Sequence, residues 1–231
     1  MYKTDATQIA ANFRAVRAKI DQAARRAGRD PREISLVAVS KTFPAEAIEA
    51  AVASGATDIG ESRVQEGIGK IDRLGPIARW HLIGHLQTNK AKKAVQYFDL
   101  IHSLDSTSLA EKVSQEAVKL NKKIDCLIEM NSSGEESKFG FAPEETEPAA
   151  ERIMALPGIS LCGLMTIGPW TTNEGCIKKA FELTRRTFDN INRRLGSQIA
   201  VLSMGMSSDY ELAIECGSTM VRVGTAIFGA R

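Results

Sequence analysis

A lysine directly after a short apolar run is chemically unusual. In Ile34-Ser35-Leu36-Val37-Ala38-Val39-Ser40-Lys41 the amine of Lys41 follows a segment suited to burial. Desolvating an ammonium is costly unless it is paired or its pKa falls. A lysine in that situation is the kind of amine that forms imines with carbonyl compounds, the ordinary alternative being a rim lysine in a salt bridge. Near the other end, Met204-Gly205-Met206-Ser207-Ser208-Asp209 and Arg222-Val223-Gly224-Thr225 combine hydroxyls with glycines. Ser207, Ser208, Gly224 and Thr225 could hold a phosphate, because hydroxyls donate to its oxygens and glycine lets backbone N–H groups come close. Ser207 or Ser208 could equally cap the helix that Asp209 and Glu211 continue.

The elements that would carry these groups follow a regular alternation. Ile9, Phe13, Val16 and Ile20 recur at helical spacing, and Gly28 and Pro31 stop that leading helix. Strand candidates are Ile34 to Val39, Ala56 to Gly60, Arg79 to Ile83, Leu100 to Ser103, Ile124 to Asn131, Ile159 to Met165, Ile199 to Met204 and Met220 to Val223. Between them, helical patterning covers Glu46 to Ala53, Glu61 to Arg73, Thr88 to Val95, Ser106 to Leu120, Pro143 to Ala155, Glu174 to Leu195 and Asp209 to Gly217. Parallel strands need helical crossovers, and eight such units close into a (β/α)8 TIM barrel, here with an extra N-terminal helix. A doubly wound open sheet is the rival architecture. No linker-like stretch divides residues 1–231, so one domain is expected. In a barrel, function gathers on the loops after the strands, and phosphate often sits between the loops after strands seven and eight. Lys41 and the Ser207–Thr225 rim would share that face, and together they describe a site for pyridoxal 5′-phosphate (PLP).

Composition narrows the partners. A net charge of +2 with 25% charged residues gives no field for nucleic acid, a membrane surface or a polyanion. No apolar run approaches the roughly 20 residues of a membrane span, and the N-terminus has no secretory pattern. Cys126, Cys162, Cys176 and Cys216 lack a C-x-x-C spacing. These features point to a cytoplasmic protein with free thiols.

Other polar residues carry weaker signals. His81 and His85 are four apart, but Leu82 stands where a zinc-binding helix would need its Glu, so no metal is expected. His102 reads as a hydrogen-bonded rim or core residue. Glu135, Glu136 and Lys138 read as a solvated loop, with a lid over a cofactor as the functional alternative. Met204 and Met206, flanking Gly205, could pack against a cofactor or fill the core.

Several segments in order resemble the YggS/PROSC family of PLP homeostasis proteins. They are Val37 to Lys41, Trp80-His81-Leu82-Ile83-Gly84-His85-Leu86-Gln87-Thr88-Asn89-Lys90, Ser133-Gly134-Glu135-Glu136-Ser137-Lys138-Phe139-Gly140, and Leu202 to Ser207 running on to Arg222 to Arg231. The resemblance implies a barrel similar to the N-terminal domain of alanine racemase, with Lys41 holding PLP as a Schiff base. It further implies that Ser207, Gly224 and Thr225 hold the phosphate and that Arg222 approaches the pyridine nitrogen. Where the family often has Gly-Glu-Asn, this chain has Gly60-Glu61-Ser62, so Ser62 would reach the cofactor through water. An arginine can only donate, so it leaves the pyridine nitrogen unprotonated and the ring a poorer electron sink. Related racemases also use a tyrosine from a second domain. Tyr2, Tyr97 and Tyr210 offer no obvious substitute, and the chain stops at Arg231.

The expectation is therefore a PLP-binding homeostasis protein without substantial turnover and with no catalytic residues assigned. It would pass PLP to PLP-requiring apo-enzymes and be a monomer. The alternatives are a PLP-dependent, racemase-like enzyme of amino acids and an interaction module that PLP modulates.

Overall fold

The computed structural model describes residues 5–135, 137–196 and 199–230. Tyr2, Glu136 and Arg231 lie outside them. The chain opens with α1 (Ala6–Arg26), whose start is capped by the Asp5 carboxylate accepting from Gln8 N. Its buried stripe is Ile9, Phe13, Val16, Ile20, Ala23 and Ala24, the face expected from helical spacing.

Eight parallel strands follow: β1 (Ser35–Val39), β2 (Asp58–Glu61), β3 (Arg79–Leu82), β4 (Leu100–Leu104), β5 (Ile124–Glu129), β6 (Ile159–Met165), β7 (Val201–Ser203) and β8 (Met220–Val223). They close in sequence order, with β8 pairing back onto β1, so the open-sheet alternative is excluded. The crossovers are α2 (Ala45–Ala53), α3 (Val64–Leu74), α4 (Ala91–Tyr97), α5 (Thr107–Lys119), α6 (Pro143–Met154), α7 (Glu174–Leu195) and α8 (Tyr210–Glu215). A one-turn α9 (Thr225–Phe228) follows β8. The additional helix α1 packs against α2, α8 and α9, covering the outside of the β8–β1 closure. Arg17 fastens it by donating to the carbonyls of Ile34 and Pro31.

The strands divide their side chains by parity. Leu36, Ala38, Ile59, Leu82, Ile101, Ile128, Leu164, Leu202, Val221 and Val223 join the helices in one large apolar core outside the barrel wall. Val37, Val39, Leu100, Leu127, Met165 and Met220 form a second, smaller cluster inside the barrel. Strands β1, β4, β5, β6 and β8 thus place apolar side chains on both faces, which is why they read as largely apolar runs.

Several boundaries differ from the sequence reading for local reasons. Glu61, expected to open a helix, is the last residue of β2 and is fully enclosed. The helix expected over Thr88 to Val95 begins as a short 3-10 turn, Thr88–Lys90, before α4. The seventh strand ends at Ser203, because Gly205 turns the chain with φ +96°. A Cβ there would lie 2.6 Å from Ala213 Cβ and 2.8 Å from Tyr210 Cα, so only glycine fits between the strand and α8.

Candidate functional site

A cavity of about 350 Å³ opens where β1, β3, β7 and β8 end. Its lining includes Val39, Lys41, Ile83, Ser207, Arg222 and Thr225, with Phe43, Met206, Ser208 and Gly224. Lys41, which follows Val37 and Val39 at the same strand parity, thus shares a cavity with both glycine-and-hydroxyl loops. Ser62 and Met204 are not in the lining. Ser62 packs its backbone against Gly84, where an added Cβ would lie 2.3 Å from Ser62 O. Met204 is fully buried in the outer core with Leu202 and Ile214, one residue out of phase with inward-facing Ser203. The methionine at the cavity is Met206.

The phosphate rim has a specific geometry. Gly224 N and Ala226 N both point at Ser207 Oγ, at 3.3 and 3.4 Å. Two backbone donors at the opening of α9 thus converge on one oxygen, as they would on a phosphate oxygen. An added Cβ at Gly224 would sit 3.2 Å from Val39 O, so the absence of a side chain keeps this approach open. Met206 N donates to Asp209 Oδ1 at 2.6 Å, fixing the loop that carries Ser207 and Ser208.

Arg222 is buried at the cavity floor. Its Nη1 donates to Ser203 O and Ser203 Oγ at 2.8 and 2.7 Å, and its Nη2 to Thr166 O at 2.9 Å. Those three bonds do not exhaust the guanidinium's donors. Burial pulls its pKa down to about 10, while Glu129 and Asp209 oppose that fall, so it stays charged at neutral pH. Glu129, also buried, is pushed up to about 7 by desolvation and by Asp105, with Arg222 acting against the rise.

Lys41 stands between two residues gripped from outside the barrel wall. Lys70 Nζ donates to Ser40 O at 2.9 Å, to Glu61 Oε1 at 2.6 Å and to Glu66 Oε1 at 2.8 Å. Ser40 Oγ also donates to Glu61 Oε1, and Thr42 N to Glu66 Oε1. Thr42 has φ +72°, a left-handed conformation costly for a β-branched residue and the kind of strain that persists where the surroundings enforce it. Glu61 Oε2 has no hydrogen-bond partner, and burial raises the Glu61 carboxyl despite Lys70.

The remaining polar candidates separate. His81 is enclosed inside the barrel, with Nε2 2.9 Å from Asp58 Oδ1 and Nδ1 3.0 Å from His102 Nε2. His85 is at the rim, bonded to Asp105 and stacked on Phe139 at 3.7 Å, so the two histidines do not converge. Lys138 is tied down rather than solvated: Nζ donates to Glu135 Oε1 at 2.9 Å and to Gly168 O at 2.7 Å. Cys126 and Cys216 are buried, Cys162 is half-buried and Cys176 exposed, all as free thiols.

Sequence reading gave no site role to Asp58, Glu61, Glu66, Lys70, Glu129 or Ser203. Asp58, Glu129 and Ser203 carried a usable signal, a polar residue at the inward parity of an apolar strand. For Glu66 and Lys70 there was none, since they read as the exposed face of α3.

Among the described residues no helix is long and apolar enough to cross a membrane. The family model for the alanine racemase N-terminal domain matches residues 6–231. Pyridoxal phosphate homeostasis protein of Pseudomonas aeruginosa is 41% identical over 224 residues, covering 96% of each chain. That of Aquifex aeolicus is 42% identical over 214 residues, covering 92% of this chain and 94% of its own. Among solved structures, PipY of Synechococcus elongatus with PLP bound superposes with a TM-score of 0.84 at 35% identity, covering 96% of this chain and all of that one. Alanine racemase of Clostridium difficile shares the fold alone, at 17% identity and a TM-score of 0.79 over 60% of its length. The Pseudomonas and Aquifex relatives are named for PLP homeostasis and not as enzymes. With full-length relatives at this identity and a barrel of the racemase N-terminal type, the chain belongs to the pyridoxal phosphate homeostasis protein family.

Proposed function

We propose that this chain binds PLP in the cavity between Lys41 and the Ser207–Thr225 rim and serves PLP homeostasis rather than rapid turnover. The observation that carries this reading is the meeting of an amine and a two-donor oxygen cradle in one cavity. When bound, PLP brings an aldehyde that condenses with a primary amine and a ring that withdraws electrons. Lys41 would supply the amine. Gly224, Thr225 and Ser207 would hold the phosphate, the Ser207 hydroxyl turning from acceptor to donor once phosphate oxygens take the two backbone N–H groups. Arg222 would face the pyridine nitrogen as a donor only, leaving that nitrogen without a proton and restraining carbanion chemistry.

The same reading keeps residues 1–231 as one PLP-binding domain, a cytoplasmic monomer with no catalytic residue assigned. PLP-requiring apo-enzymes are the partners to which cofactor would pass. Ser62 would act at a distance, through water, whereas Met204, buried in the outer core, would serve as core filling.

The test is spectroscopic and chemical. Purified protein mixed with PLP should gain a visible absorption band, and borohydride reduction followed by peptide mass spectrometry should place the pyridoxyl group on Lys41. Lys41→Ala should lose the band entirely while keeping its far-UV circular dichroism. A pyridoxyl group on another lysine, or no uptake at all, defeats the proposal. Steady turnover of an amino acid that vanishes in Lys41→Ala would replace it with the racemase-like reading.

A further inference from the structure

Inside the barrel, one continuous line of polar side chains drawn from five different strands ends on Arg222. Asp58 Oδ1 lies 2.9 Å from His81 Nε2, and His81 Nδ1 lies 3.0 Å from His102 Nε2. His102 Nδ1 lies 3.2 Å from Ser203 Oγ, which is 2.7 Å from Arg222 Nη1. Both imidazoles and Ser203 are completely enclosed, while Asp58 at the other end is partly open.

The donors in this line can be assigned from its two ends. A guanidinium only donates, so Ser203 Oγ must accept from Arg222. The Ser203 proton then goes to His102 Nδ1. A neutral His102 that accepts at Nδ1 carries its own proton on Nε2 and donates it to His81 Nδ1. The same logic puts the His81 proton on Nε2, donated to Asp58. All bonds then run in one direction, from Arg222 to the Asp58 carboxylate, and each donor has an acceptor. A proton added at His81 Nδ1 would reverse His102, so that Ser203 Oγ received both His102 and Arg222. Its hydroxyl would then have no acceptor among the contacts of the described residues. Burial, with the charges of Arg222 and Arg79, holds the His102 imidazole well below its ordinary pKa, as the neutral form requires.

We propose that His102, oriented by His81 and Asp58, is a positioning residue for the cofactor: the one-way chain fixes the Ser203 hydroxyl as an acceptor and thereby locks Arg222 in a single orientation at the cavity floor. This rests on the reading that PLP occupies the cavity with Arg222 against its ring. If the histidines only filled space, an aromatic ring of similar size would replace them. Two fully buried polar rings would then carry a desolvation cost with nothing to offset it.

The experiment uses the full chain in two steps. Long-range 1H–15N correlation spectra of the ligand-free protein should show His81 and His102 as neutral Nε2–H tautomers near neutral pH. An Nδ1–H tautomer or an imidazolium at either position overturns the proposal. PLP titrations followed by visible absorption then compare wild type with His102→Phe, which removes both nitrogens, and His102→Gln, whose amide can accept from Ser203 and donate to His81. His102→Phe should bind PLP about tenfold more weakly, the scale of one hydrogen bond to a charged group. His102→Gln should stay within about threefold of wild type. Should His102→Phe not fold, Ser203→Ala, which removes only the hydroxyl, should show the same tenfold loss. Equal affinities for the Phe and Gln variants, or an unaffected Ser203→Ala, would overturn the positioning role alone. Wild-type protein that takes up no PLP would overturn the function reading as well.

Discussion

The two ends of the cavity are held in opposite ways. The Lys41 turn is clamped from outside the barrel wall by charges, with Lys70 bridging Ser40 O, Glu61 and Glu66. Arg222 is held from inside by the Ser203 hydroxyl and two carbonyls, the hydroxyl being backed by neutral imidazoles. The ionic clamp grips backbone and keeps Thr42 in a strained conformation, but it leaves a buried carboxylate oxygen unpaired. In the neutral chain each donor finds an acceptor. Charge in a low-dielectric wall supplies force and demands compensation, whereas a satisfied neutral line supplies direction at small cost.

The largest effect should come from unbalancing the clamp. Lys70→Met strands Glu61 in the wall and should cost about 3–5 kcal/mol in urea denaturation. The Glu61 pKa, already raised, should rise further. A folded-state pKa above the unfolded one means that stability is present at low pH and lost as pH rises through the folded value. The deficit of Lys70→Met should therefore shrink in acid, and a deficit independent of pH would show that Glu61 is not the group left unpaired.

Glu129 sharpens the contrast from the other side, as an ionisable group inside the barrel close to Arg222. Its pKa is raised from 4.5 to about 7, so the folded protein binds the extra proton between those values and loses stability as pH rises through them. Glu129→Gln should flatten stability between pH ~4 and ~8 by about 3 kcal/mol, an order-of-magnitude figure read from urea midpoints across pH. An unchanged pH slope would place Glu129 in a more polar setting than its burial indicates.

Smaller effects follow within each network. Ser203→Ala removes one charge-assisted bond and should cost about 1.5–3 kcal/mol, leaving the two carbonyl bonds to Arg222. A larger loss would mean that the hydroxyl carries more of the Arg222 anchoring than its neighbours do. Glu66→Gln keeps an oxygen for Thr42 N but lowers the charge of a half-buried pair, so it should cost less than about 1 kcal/mol. On a barrel of this size that lowers Tm by about 2–4 °C at most. A larger drop would make Glu66, and not Glu61, the main counter-charge to Lys70.

Much of the architecture was legible because most strands are short, largely apolar runs. Ile34 to Val39 and Ile159 to Met165 announce buried strands, and the Ile9–Phe13–Val16–Ile20 spacing announces the outer helix. Parity is not used at β7: Met204 reads as a possible cofactor contact, yet it is one residue out of phase with inward-facing Ser203 and faces the outer core. Boundaries were less readable where tertiary contacts override propensity. Glu61 favours a helix locally, yet it ends β2 because Ser40 and Lys70 await its carboxylate.

The sequence by itself determined the strand-and-helix alternation, the candidate amine and the glycine-rich rim, since each depends on neighbours a few residues apart. Only closure of the barrel decided which of these groups meet. β8 pairs with β1, and that single contact brings Arg222 opposite Val37 and the Gly224 backbone beside Val39. It also gathers Asp58, His81, His102 and Ser203, spread along 146 residues of chain, into one enclosed line. Local patterning sets what each residue can do, and the long-range register of the strands sets which residue it does it with.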